Sequence, residues 1–110
     1  MKKIINTPNS PQPIGPYNQA ILKNNTLFIS GQIALDPKTM KLINDSIKEE
    51  TIQVMENLKN ILSEARMNFS DVVKTSIFLS NMDNFNDVNN VYGSYLNSGE
   101  EPARETIAVK

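Results

Sequence analysis

The stretch that most restricts the fold begins at Ser46. Ser46-Ile47-Lys48-Glu49 has the spacing of a helix N-terminus, in which the serine hydroxyl accepts from the amide three residues on and the glutamate side chain reaches back. Behind it Ile47, Thr51, Val54, Met55, Leu58, Ile61, Leu62 and Ala65 recur at steps of three and four, while Lys48, Glu50, Gln53, Glu56, Lys59 and Asn60 take the other side. The spacing predicts a helix of about 20 residues with a single apolar stripe. A stripe of that kind has to be buried against another layer of structure.

Strand-like segments supply that layer. Tyr17 to Lys23 and Thr26 to Gln32 flank Asn24-Asn25, a pair that tolerates positive φ, and so predict two antiparallel strands joined by a two-residue turn. Asp36-Pro37-Lys38-Thr39 is a turn, with a short strand expected over Met40 to Ile43. Val72 to Leu79, rich in β-branched and aromatic residues, reads as a further strand. Phe85, Val88, Val91, Tyr92, Tyr95 and Leu96 return to helical spacing and predict a second helix from about Asp83 to Asn97. A last strand is expected over Arg104 to Val109. Upstream, Pro8, Pro11, Pro13 and Pro16 make residues 6–16 an extended lead-in. The order ββαβαβ within a single domain, 1–110, predicts an α+β sandwich with two helices on one face of a mixed sheet. The sheet's other face also needs cover, and a symmetric oligomer provides it.

The chain has no cysteine and no histidine. That removes disulfides, thiol nucleophiles, Cys/His zinc sites and the commonest general base at neutral pH, and no metal or other cofactor is expected. Chemistry is left to arginine, lysine, carboxylates, hydroxyls, amides, backbone dipoles and water. With 11 basic against 12 acidic side chains there is no electrostatic footprint for nucleic acid. Lys2-Lys3 is followed only by Ile4-Ile5 before Asn6, which is not a signal-peptide core, and no segment approaches the roughly 20 apolar residues of a membrane span. A soluble cytoplasmic protein is expected.

Four segments carry a resemblance when taken together: Ile14-Gly15-Pro16-Tyr17-Asn18-Gln19-Ala20, Ile29-Ser30-Gly31-Gln32, Asp71-Val72-Val73-Lys74-Thr75 and Pro102-Ala103-Arg104. In order and spacing they resemble the Rid (YjgF) family, and Phe85 to Tyr92 is similar to that family's second helix. The resemblance spans nearly the whole chain, although no segment would suffice alone. It implies a chorismate-mutase-like fold, a homotrimer whose sheets line a central barrel, and ligand clefts between neighbouring subunits. The implied activity is hydrolysis of reactive 2-imino or enamino acids, such as 2-iminobutanoate and 2-iminopropanoate, to 2-keto acids and ammonia.

The resemblance also assigns residues. Arg104 would grip the substrate carboxylate through two parallel hydrogen bonds, where the alternative is a surface arginine paired with Glu100, Glu101 or Glu105. Tyr17, after the stiff Gly15-Pro16 turn, would close the neighbouring subunit's cleft, where the alternative is simple packing. Ser30 and Gly31 would bring backbone groups to the imine, with a β-bulge glycine as the alternative. Asn89 shares a helix face with positions 85, 92 and 96 and would contact the cleft or an interface. Thr106 shares the face of Arg104 and stands where the family often carries cysteine, so only its backbone groups would serve.

The implied reaction needs little more than positioning, since imines hydrolyse unaided: Arg104 fixes the carboxylate, backbone groups hold the nitrogen, and water attacks carbon. The family's water-activating carboxylate lies near its C-terminus, past the position of Lys110. One more strand is expected there, between the Thr26 to Gln32 and Val72 to Leu79 strands. At the end of the first helix, Arg66 stands where the family usually has glycine. Two other functions compete: a regulator that binds a small carboxylate without turnover, and an endoribonuclease, for which the charge balance and missing histidine are unfavourable.

Overall fold

A computed structural model describes residues 1–110. The Asn24-Asn25 turn is the simplest element to derive. Both residues take positive φ, 50° and 64°, the backbone of a turn whose twist matches its flanking strands. They join β2 (Ala20–Lys23) to β3 (Thr26–Ile29), with Lys23 opposite Thr26 and Ala20 opposite Ile29. Both strands are shorter than the sequence predicts. Beyond Ala20 the regular ladder gives way to a local lock, in which the Ser30 amide donates to the Gln19 carbonyl at 2.9 Å and the Ser30 hydroxyl to the Asn18 carbonyl at 2.6 Å. A third strand, β1 (Lys3–Ile5), pairs antiparallel along β2. At three residues it is too short to leave a periodic signal.

Helix α1 (Ile47–Glu64) starts where the sequence places it, with the Ser46 hydroxyl accepting from the Glu49 amide at 3.1 Å. Only this half of the expected reciprocal pair forms, and the Glu49 side chain is left exposed. The helix ends in a Schellman motif: the Arg66 amide donates to Ser63 and the Met67 amide to Leu62. Arg66 sits in the left-handed region at φ 60°, where a non-glycine residue costs about 1 kcal/mol. The short strand expected over Met40 to Ile43 is reduced to a single bridge between Leu35 and Leu42, since Met40, at φ 58°, cannot extend it.

Strand β4 (Lys74–Leu79) follows a short 3-10 turn over Phe69–Asp71, and α2 (Phe85–Ser94) follows another over Met82–Asn84. Both regular elements are therefore shorter than their sequence patterns. Strand β5 (Ala103–Ala108) returns parallel to β4, with Thr75 opposite Arg104 and Ile77 opposite Thr106.

The strands form two sheets, an antiparallel β1-β2-β3 and a parallel β4-β5. Both helices cover the same side. Ile61 of α1 packs on Ile5 and Ala20, with Leu22, Leu27, Ile29 and Ala65 around them. Fully burying a side chain such as Ile61 contributes about 2 kcal/mol. On the opposite side the row Ile4, Ile21, Phe28 and the β4-β5 residues Phe78 and Ile107 form an apolar surface, with Phe28 and Phe78 each 63% exposed. No helix is long and apolar enough to cross a membrane.

The Pro-rich lead-in is held by buried polar side chains. Gln19 is 1% exposed; its side-chain amide donates to the carbonyls of Thr7, Ser10 and Pro11 and its oxygen accepts the Thr7 amide. Asn57 of α1, also fully buried, donates to the Ile33 and Leu35 carbonyls, while its own carbonyl accepts the Ser10 hydroxyl. Each bond satisfies a backbone group that burial would otherwise leave unpaired.

Candidate active site

Strand β5 alternates, so Arg104 turns towards α2 while Glu105 turns to the outer face. There Glu105 pairs with Lys74 and accepts from Ser76, and these bonds, Lys74 first, hold its carboxyl below the usual carboxylate range. The acid next to Arg104 is thus spent elsewhere. Arg104 makes no ion pair with Glu100, Glu101 or Glu105, which removes the surface-pair alternative.

What Arg104 does touch is one face of α2. Its Nη1 donates to Asn89 Oδ1 at 2.6 Å, and its guanidinium carbon lies 5.5 Å from the Phe85 ring centre and 5.2 Å from that of Tyr92. Phe85 and Tyr92 are seven residues apart, a rise of about 10.5 Å along the helix. A cation at nearly half that distance from each ring lies between them, over Asn89. Cations at such distances are attracted to the ring faces. Asn89 therefore fixes the arginine; its carboxamide oxygen is occupied by Nη1. Thr106 shares the Arg104 face, and its buried hydroxyl has no hydrogen-bond partner.

The other expected residues lie beyond the paired ends of β2 and β3. Tyr17 is 50% exposed, and its amide donates to the Gly15 carbonyl at 2.9 Å in a tight turn that lays the ring against Gly15. Ser30 has its amide and hydroxyl committed to Gln19 and Asn18, and its carbonyl accepts from the Gln32 side chain. Gly31 is different: a side chain there would meet nothing within 4 Å, so no neighbour within the chain demands glycine. No hydrogen bond joins Tyr17, Ser30 or Gly31 to Arg104, Asn89 or Thr106. Within one chain the six residues form two groups.

Phe85, Tyr92 and Thr75 were not singled out as site residues by the sequence, where they read as core stripe and strand. The signal was a polar Asn89 at the edge of that stripe, four residues after one aromatic and three before another.

Comparison with known proteins resolves what this arrangement belongs to. The family model for endoribonuclease L-PSP matches residues 7–110. A RutC family protein of Pyrococcus horikoshii is 46% identical over 109 residues, covering 99% of this chain and 86% of the relative. The chain belongs to the Rid family. Among Rid relatives, the human 2-iminobutanoate/2-iminopropanoate deaminase is 39% identical over 109 residues, covering 99% of this chain and 79% of that protein. The solved structure of YyfA, a Rid family protein of Yersinia pestis, superposes with a TM-score of 0.95 at 40% identity, covering 99% of this chain and 86% of that one. The YjgF-like α+β architecture expected from the Rid resemblance is thereby the observed one.

Proposed function

We propose that this Rid protein hydrolyses 2-imino acids to 2-keto acids and ammonia. The observation that carries the reading is a guanidinium held between two aromatic rings by a neutral amide, with no carboxylate to neutralise it. A cation fixed in this way is prepared for an anion from outside the chain. One nitrogen is engaged by Asn89 and the remaining donors face a planar carboxylate in a matching fork. With the carboxylate so placed, water adds to the C=N carbon, the nitrogen takes up a proton, and C–N cleavage releases the keto acid; the protonated imine and water become ketone and ammonium. The human relative's name supports this class of substrate.

The site is completed in a homotrimer. Tyr17 of one subunit closes the Arg104 cleft of the next, with Gly31 leaving room at the rim, and the apolar row Ile4, Ile21 and Phe28 is covered by the neighbouring subunits. Half-exposed Tyr17 and the separation of the six residues into two groups support that arrangement.

The test generates 2-iminobutanoate in place from 2-aminobutanoate with an amino-acid oxidase and follows ammonia release. Acceleration over the spontaneous rate is expected. Binding of 2-ketobutanoate with no acceleration would make the protein a carboxylate-binding regulator instead.

A further inference from the structure

Arg104 is held from a direction that the proposed chemistry does not use. The Tyr92 and Thr75 hydroxyls share a hydrogen bond of 2.7 Å. Thr75 is also the residue directly opposite Arg104 in the parallel β4-β5 ladder. Three contacts therefore close a triangle: ladder pairing from Thr75 to Arg104, a hydroxyl bond from Thr75 to Tyr92, and the Tyr92 ring against the Arg104 guanidinium. Tyr92 is 9% exposed, so water competes little for its hydroxyl.

We propose that Thr75 and Tyr92 are positioning residues for Arg104, a latch that sets the separation of α2 from the strand pair and with it the guanidinium's depth and plane. The physical argument is that a ring alone can slide. Cation–π attraction is weakly directional in the ring plane, and Asn89 constrains a single nitrogen. A phenol tethered at its far end to the strand that carries the arginine's own neighbour removes that freedom. The guanidinium is thereby held in place before any ligand arrives, which lowers the ordering cost of binding.

The proposal rests on the carboxylate-binding reading of Arg104, and its test separates the two. Tyr92→Phe keeps the ring and removes the tether; Thr75→Val removes it from the other side with its shape preserved; Thr75→Ser restores a hydroxyl. Each variant is assayed for 2-ketobutanoate affinity, for KM and kcat with 2-iminobutanoate, and for the guanidinium NMR signals, which are assignable because the chain has only Arg66 and Arg104. The expected result is a Kd and KM raised about five- to tenfold in Tyr92→Phe and Thr75→Val, a double variant no worse than either single, and recovery in Thr75→Ser. The Arg104 Nη signals should be separate in the native protein and should merge in the Phe and Val variants as rotation about Cζ–Nη speeds up. A purely structural role would lower the melting temperature without moving the NMR signals or Kd, and that outcome overturns the proposal. If the native protein binds no keto acid, the carboxylate reading fails while the NMR comparison still decides the latch.

Discussion

Replacing Arg104 with lysine separates the planarity of the cation from its charge. Arginine can give one nitrogen to Asn89 and still offer parallel donors to a carboxylate. Lysine has one nitrogen, which must serve Asn89 and the substrate together, and its compact ammonium has no flat faces to lie between Phe85 and Tyr92. The loss is one charge-assisted hydrogen bond, about 1.5 to 3 kcal/mol, and part of the aromatic seating, about 0.5 to 1 kcal/mol. Together they predict a fall in kcat/KM of about 30- to 1000-fold, at 1.4 kcal/mol per factor of ten. On the proposed reading the grip on the carboxylate is the same before and during reaction, so most of the loss should appear in KM, with a smaller drop in kcat from poorer orientation. The assay couples an amino-acid oxidase to ammonia detection at varied 2-aminobutanoate, with circular dichroism and sedimentation confirming that fold and assembly are unchanged. A lysine variant within about threefold of the native protein would refute the two-point grip.

Gln19→Glu keeps the size of the side chain but removes the donors that three carbonyls share; it should lower stability by about 3 kcal/mol or more, read as a lower urea midpoint and faster proteolysis within residues 6–16. Tyr95, whose hydroxyl donates to Glu56 at 2.7 Å, has its pKa pushed from the ordinary value near 10 up to about 12, by burial first and by the Glu56 bond second. Because the folded-state value is raised, the stability it contributes is full below about pH 10 and lost as pH rises towards 12; the difference in urea midpoint between native protein and Tyr95→Phe should vanish over that window. At neutral pH the corresponding difference in unfolding free energy should be about 0.5 to 1.5 kcal/mol. Co-refolding equal amounts of Tyr17→Ala and Arg104→Ala chains should restore activity in about one quarter of clefts, because a symmetric trimer that draws the two residues from different subunits makes some sites with both intact. No recovery would place both residues in one subunit's site.

Legibility in the sequence followed the range of the interactions. Ser46 announced α1 because its bond spans three residues, and Asn24-Asn25 announced the hairpin because a turn is a local choice. Gln19 gave no such notice: its partners lie 8 to 12 residues away in a segment without periodicity. Asp36 was seen as a turn residue, and its carboxylate does take the Lys38 and Thr39 amides, which lowers its pKa. For the site, the common face of positions 85, 89 and 92 was readable from helical spacing. That Arg104 lies between the two rings was not, because it depends on the parallel register of β5 against β4, which no local pattern encodes. The strand ends were overestimated for a related reason. Past Ala20 and Ile29 the Ser30 amide still donates to the Gln19 carbonyl, but the Gln19 amide turns to Asn6 Oδ1 at 3.2 Å instead of completing the ladder pair.

The parallel pairing of β4 with β5 has a kinetic consequence. Opposed residues in that ladder are 29 positions apart, as Ser76 and Glu105 are, whereas the β2-β3 hairpin closes across two residues and α1 through contacts four apart. Chain entropy makes the long closure the slower event, so the hairpin and α1 should consolidate before β5 docks. Arg104 arrives only with β5. Substitutions along β5 should then act mainly on the late folding limb, and a refolding chain should regain helical ellipticity before it regains the capacity to bind a keto acid. The interval between those two signals, measured by stopped flow, times the docking of a single strand.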